Sequence, residues 1–286
     1  MKTTTKKIWR HSTISILVDA SWRDEPIAFM QKGPSDAPFF EGLPRIGAVV
    51  GTYGTAPLVH MQLELLKHMQ CLDDIMVHDD CSPEGETLRG LADAYGADYA
   101  TPLTRQQHCT GDLSAFLVGL LWAKHNKLDY VVKISRRCIT LEDWVSDVMG
   151  LLLTNPREHT IGHPIGKSKR KMTTYWIVMH VDTWLEHGFG QIEDLMVNYA
   201  EHWVGTQIEW WIEKIAKSVD VSMGVHRSRP FTYYDILRNP STMWKIKYGP
   251  EHYGKISKKL GLPYTSKDFK FSSNLSGIFN SRRWHL

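Results

Sequence analysis

The chain has 286 residues, 42% of them hydrophobic and 23% charged, with a formal net charge of +3. This is the composition of a globular protein large enough to bury a core without a metal or disulfide staple, and the charge is too small to argue for nucleic acid or a membrane surface. No stretch approaches the roughly 20 apolar residues of a membrane span and the basic N-terminus has no long apolar run, so neither a transmembrane segment nor a signal peptide is expected. Cys71, Cys81, Cys109 and Cys138 show no Cys-x-x-Cys pair and no ligand-like spacing with histidine, which points to reduced thiols and a cytoplasmic location.

Residues 1–44 hold one expected strand, Thr13–Asp19, and a Pro- and Gly-rich connection. From Arg45 the texture changes. Ile46–Gly54 is a continuous apolar run ending at glycine, as in a strand buried on both faces. Ala56–Met69 has apolar residues at helical spacing, with Pro57 in the first turn. Ile75–His78 predicts a second strand ending in two aspartates, Gly85–Gly96 a helix closed by glycine, and Ala97–Pro102 a third strand. Gly111–Asn126 reads as an amphipathic helix and Asp129–Ser135 as a fourth strand. Strands alternating with helices predict an α/β fold, a mostly parallel central sheet flanked by helices. Beyond it come a helix at Leu141–Leu153, a strand at Tyr175–His180, a polar and aromatic stretch, and a helix at Ile208–Val219. DVSMGVHR adds a short strand, and Glu251–Leu262 a helix within a tail that wraps the domain.

In open α/β sheets ligands bind beyond the carboxyl ends of the strands, so the informative residues are GTYGT, DDCSPEG, TP and SRRC, one group after each strand. VVGTYGTAP, IMVHDDCSPEG, GADY and a Gly-led helix before DYVVKIS together resemble family-two-type glycosyltransferases of the GT-A (Rossmann-like) fold, over about residues 45–140. The resemblance implies a nucleotide-sugar-binding half at 45–154, with 155–286 as the acceptor-side half and tail of the same domain. It places Thr52 and Tyr53 against the nucleotide's base and ribose, Asp80 or Asp79 on their hydrogen-bond donors, and Gly111 and Asp112 at the helix start facing the donor. The aspartate pair equally suits a turn and helix cap, and Gly111 and Asp112 suit simple capping.

One motif departs from the family. Its D-x-D position reads Ser135-Arg136-Arg137, which leaves no carboxylate for Mg²⁺ or Mn²⁺, so no metal site is expected there. Either Arg136 or Arg137 is expected to clamp the donor's diphosphate instead, or the site is catalytically dead and the domain only binds. An inverting transfer also needs a general base. Glu209 at the head of its helix is the first candidate, then Asp194 and Glu193, although acids in a first helical turn also answer the macrodipole. Lys169 and Arg170 in the basic run GKSKRKM, with Trp210, are candidates for the acceptor, a glycan or a modified nucleic-acid base. His159 and His163 have i,i+4 spacing, but Pro164 denies them a helix and no zinc site is expected.

The expected function is therefore transfer of a sugar from a nucleotide-diphosphate sugar. A catalytically silent binding or scaffold protein is the second reading. A nucleotidyltransferase is the third, disfavoured because GTYGTAP has no nearby Lys or Arg.

Overall fold

A computed structural model of the chain describes residues 42–69, 71–106, 108–136, 139, 144–154, 160–164, 172–202, 208–219, 224–225 and 250–269. The expected strand at Thr13–Asp19, Arg137, Lys169, Arg170 and most of the tail lie outside these residues.

The first four strands are β1 (Ile46–Thr52), β2 (Asp74–Asp79), β3 (Asp98–Ala100) and β4 (Tyr130–Ser135), joined by α1 (Ala56–Leu66), α2 (Gly85–Tyr95) and α3 (His108–His125). All four are parallel, as the alternation predicts. Next come α4 (Trp144–Thr154), β5 (Thr160–Pro164) and β6 (Met172–His180), which runs antiparallel to β4 and β5. A helical segment starts at Val181, passes a π-helical turn at Trp184–Gly188 and continues as α5 (Phe189–His202). It is followed by α6 (Ile208–Val219), β7 (Gly224–Val225), which is parallel to β5, then α7 (Pro250–Lys259) and a 3₁₀ turn at Ser266–Phe269. One seven-stranded sheet, ordered β3-β2-β1-β4-β6-β5-β7, runs through both halves of the chain. The sequence analysis did not anticipate β5, whose Thr-Ile-Gly-His-Pro has no strand periodicity; it put Glu193 and Asp194 in a first helical turn, whereas α5 starts earlier, at Phe189. The apolar positions of α5 (Phe189, Ile192, Leu195, Met196) are spaced for a helix and buried, but polar residues between them dilute the pattern.

β1 is buried along its whole length because helices cover both faces of the sheet. On one face Val49, Met76, Val131, Ile177 and Met179 pack under α3, α5 and α6. On the other, Ala48, Val50, Val132, Ile134, Trp176 and Val178 pack under α1 and α4. α7 and the 3₁₀ turn return to the outer side of α1, where Tyr253, Ile256 and Phe269 meet Leu58 and Met61. His60 fastens them, with its ring nitrogens each 2.8 Å from the hydroxyls of Tyr264 and Tyr95.

The amino edge of the sheet is equally closed. Arg45 caps β1 there, its backbone N–H donating to Asp129 and its guanidinium to Asp73 and to the Asn126 carbonyl. Trp122 of α3 and Leu128 both press on Gly47: a Cβ there would sit 2.4 Å from Leu128 Cδ1 and 2.9 Å from the indole ring. We therefore expect Gly47→Ala to force the α3–β1 packing apart and to cost about 1–3 kcal/mol, read as a lower urea midpoint at an unchanged slope.

Candidate functional site

The side chains of a strand alternate between faces, so the α3 face receives Val49 and Gly51 from β1, His78 and then Asp80 from β2, and Lys133 and Ser135 from β4. Gly51 lies between His78 and Ser135 in register, near the carboxyl edge. The N-terminal half of α3, which starts at His108 rather than at the expected Gly111, sits directly on it: a Cβ at Gly51 would meet Ala115 Cβ and Lys133 Cε, both at 3.3 Å. Two polar contacts flank this seat. The Lys133 ammonium, completely buried, donates to Asp112 Oδ1 at 2.6 Å and lies 5.2 Å from the centre of the Phe116 ring. His78 Nε2 and Ser114 Oγ are 3.0 Å apart. Burial, with the nearby Lys133 charge, lowers the His78 pKa from 6.5 to about 4.

The β2 end carries two buried aspartates with opposite facings. Asp80 accepts from the Gln106 backbone N–H at 2.7 Å, and a Cβ on Gly111 would come within 2.6 Å of its Oδ2. Glycine at 111 is thus required by close approach rather than by a turn. Asp79 accepts from the Ser82 backbone and hydroxyl, both at 3.0 Å, and from the Tyr99 hydroxyl at 3.3 Å. Burial and the Asp79 charge push the Tyr99 pKa well up, so that hydroxyl stays a donor. Glu84, further along the loop, caps α1 from outside the helix, its two oxygens accepting from the N–H groups of Thr55 (3.0 Å) and Ala56 (2.8 Å). Gly54 and Thr55 have φ of +62° and +61° to make that turn.

Tyr53 stands at the end of β1. The Arg105 guanidinium lies over its ring, 3.8 Å from the centroid. Arg136, just past β4, donates from its guanidinium to the Tyr53 carbonyl and from its backbone N–H to Gly51 O at 3.0 Å. Thr52, Tyr53, Asp79, Asp80, Gly111, Asp112 and Arg136 therefore converge at one edge. Ser135 contributes its carbonyl to Gln62 Nε2 at 2.8 Å, and no group of three or more His, Cys, Asp or Glu side chains suited to a metal occurs among the described residues.

The acid candidates sit on the α3 face. Val181 N–H bonds to Asp129 O beside the start of β4, so the helical segment begins at the amino edge. Gln191 near the head of α5 bonds Ser218 near the foot of α6, and a Cβ on Gly188 would meet Val219 at 3.0 Å. The head of α5 thus meets the foot of α6, which starts at Ile208. Glu209 and Trp210 belong to its first turn. Glu193, buried, and Asp194, exposed, lie in the second turn of α5, nearer the amino edge. Glu213, one turn below Glu209, is buried and paired with Lys217.

Sequence reasoning passed over Lys133, His78, Ser114, Glu84 and Arg105. For the first two a signal exists, since each is a titratable residue inside a strand otherwise apolar enough to be buried on both faces. Glu84 and Arg105 sit in loops whose contacts only the fold creates.

Comparison with solved structures bears on the fold. TarS from S. aureus aligns with 83% of this chain and 46% of its own at a TM-score of 0.50 and 11% identity. The two share a fold. The mannosyltransferase PcManGT from Pyrobaculum calidifontis, described in complex with GDP-Man and Mn2+, aligns over 94% of this chain and 75% of its own at a TM-score of 0.46 and 15% identity. The glycosyltransferase GlyE of Streptococcus pneumoniae TIGR4 aligns over 72% and 51% at 0.45 and 15%. No protein-family model matches the chain, nor does any curated protein.

His78 supplies a pH test. Because its pKa is lower folded than unfolded, its neutral form is favoured by folding, and the associated stability is complete above pH 6.5 and lost as pH falls toward 4. The loss should approach about 3 kcal/mol. Denaturation between pH 7.5 and 4.5 should show a shallower decline for His78→Gln than for the wild type; equal slopes would remove His78 as the titrating group.

Proposed function

We propose that this protein transfers a sugar from a nucleotide-diphosphate sugar to an acceptor, with the donor held at the carboxyl edge of β1, β2 and β4. The observation that carries the reading is the convergence there of one aromatic ring, three carboxylates and two guanidinium groups: Tyr53, Asp79, Asp80, Asp112, Arg105 and Arg136. An open α/β sheet takes its ligand at this edge. A nucleotide sugar offers each kind of group a partner: a flat base for Tyr53, hydroxyls for the carboxylates, a diphosphate for the arginines.

Asp79 and Asp80 play unequal parts. Asp79 is spent on its own loop, accepting from Ser82 and Tyr99, and so shapes the site. Asp80 faces α3 and Gly111, and is the better candidate to meet the nucleoside. The residues at the D-x-D position do not fit a divalent cation, which wants carboxylate oxygens; they are a serine, whose carbonyl is taken by Gln62, and two arginines. Arg136, with Arg137, supplies fixed positive charge for the leaving diphosphate. In the transfer step the acceptor hydroxyl loses its proton to a carboxylate, its oxygen bonds to the anomeric carbon from the opposite side, and the carbon–oxygen bond to the β-phosphate breaks. The configuration inverts and the nucleoside diphosphate leaves. Glu209 is preferred as that base, as the acid in the first turn of α6. Lys169, Arg170 and Trp210 supply the acceptor contacts, on a glycan or a nucleic-acid base.

The third reading loses ground to Glu84. A nucleotidyltransferase cradles a triphosphate on the loop after β1, whereas here a carboxylate already occupies the helix N–H groups at that loop and would repel phosphate.

A panel of UDP-, GDP-, CMP- and dTDP-sugars tests the proposal. At a hundredfold excess over Kd the right donor should stabilise the fold by about 2.7 kcal/mol, and Asp80→Ala should abolish that shift. Donor turnover should survive EDTA, and Arg136→Ala should slow it roughly a hundredfold. Glu209→Gln should keep donor binding while losing transfer. Binding without turnover under every condition would favour the scaffold reading; no binding at all would defeat both.

A further inference from the structure

Lys133 is an uneconomical residue for its place. It stands in the interior of β4, on a face otherwise packed with Val131, Phe116 and Leu117, and none of it reaches solvent. A buried ion pair is on average no more stabilising than a well-packed apolar residue of the same volume, so core stability does not account for it. What a lysine does here and a methionine cannot is hold a carboxylate still. Gly51, Ala115 and Phe116 confine the chain, and its ammonium reaches Asp112 Oδ1 at 2.6 Å. Asp112, by contrast, keeps 23% of its side chain exposed at the carboxyl edge. Next to it, Gly111 presses on the Asp80 carboxylate. Asp80 and Asp112 thus flank one helical turn, an arrangement that repels phosphate and accepts from hydroxyls.

We infer that Lys133 is a positioning residue, which fixes the Asp112 carboxylate to accept hydrogen bonds from hydroxyls of the bound donor, its ribose or its transferred sugar. The inference rests on the donor-site reading above. It also orients the donor: hydroxyls lie toward α3, and the diphosphate lies toward Arg136.

The test is titration calorimetry of the full chain with UDP-glucose, GDP-mannose, UDP and GDP, alongside the melting temperature of each unliganded variant. For the probe that the wild type binds, Lys133→Met and Asp112→Asn should each weaken binding by about tenfold or more, the scale of a hydrogen bond to a charged group. The double variant should be no worse than either single one, because both remove the same contact. Lys133→Arg, which keeps a cation, should recover much of the affinity even where its melting temperature falls as far as that of Lys133→Met. Equal losses for UDP and UDP-glucose (or GDP and GDP-mannose) assign the contact to ribose; a loss confined to the sugar nucleotide assigns it to the transferred sugar. Wild-type affinity in Asp112→Asn overturns the inference and leaves the donor site standing, as does an affinity loss that follows melting temperature through every variant, Lys133→Arg included. If Lys133→Met does not fold, Asp112→Asn and Lys133→Arg decide the matter. A wild type that binds none of the four probes brings down the donor-site reading for these nucleotides, and this inference with it.

Discussion

A charged lysine in the middle of a sheet is costly unless a negative charge comes to it, and here Asp112 on α3 meets Lys133 at the carboxyl edge. That contact, with His78 on Ser114, brings the head of α3 down onto β1, where Gly51 leaves it room. The seat then dictates its neighbours. Gly111 falls against Asp80, and Asp80 reaches across to the backbone of Gln106, which places Arg105 beside Tyr53.

The loops on the other face are held by the same kind of bond used differently. Asp79 and Glu84 accept from backbone N–H groups and hydroxyls, an economical way to fix irregular chain whose own N–H groups would otherwise be unsatisfied. The result is a division of labour among acids that look alike in the sequence. Asp79 and Glu84 shape the edge, whereas Asp80 lies against α3 and Asp112 is carried on it. A single edge therefore carries both carboxylates and guanidinium groups, the mixture on which the proposed donor site rests.

Much of the fold was legible because burial on both faces leaves a plain mark. β1 and β4 announce themselves as apolar runs, the first three helices by their spacing, and Gly96 at φ +71° closes α2 as a C-capping glycine should. β5 was not legible, since its strand character comes from pairing with β6 and β7 rather than from its five residues. Among the acid candidates the sequence favoured Glu209 over Asp194 and Glu193, although all three are acids near apolar helical residues. The helix bounds separate them by turn: Glu209 lies in the first turn of α6, Glu193 and Asp194 in the second turn of α5.

The sequence by itself determined the parallel α/β architecture, the strand ends at which chemistry is to be sought, and the lack of carboxylates at Ser135-Arg136-Arg137. Each follows from local information, either the period of apolar residues or the residue types that follow a strand. The tertiary structure decided which polar residues meet: Lys133 with Asp112, Glu84 with the head of α1, Arg105 with Tyr53. Those partners are 21, 28 and 52 positions apart at the least, and only the packing of helices on the sheet brings them within reach.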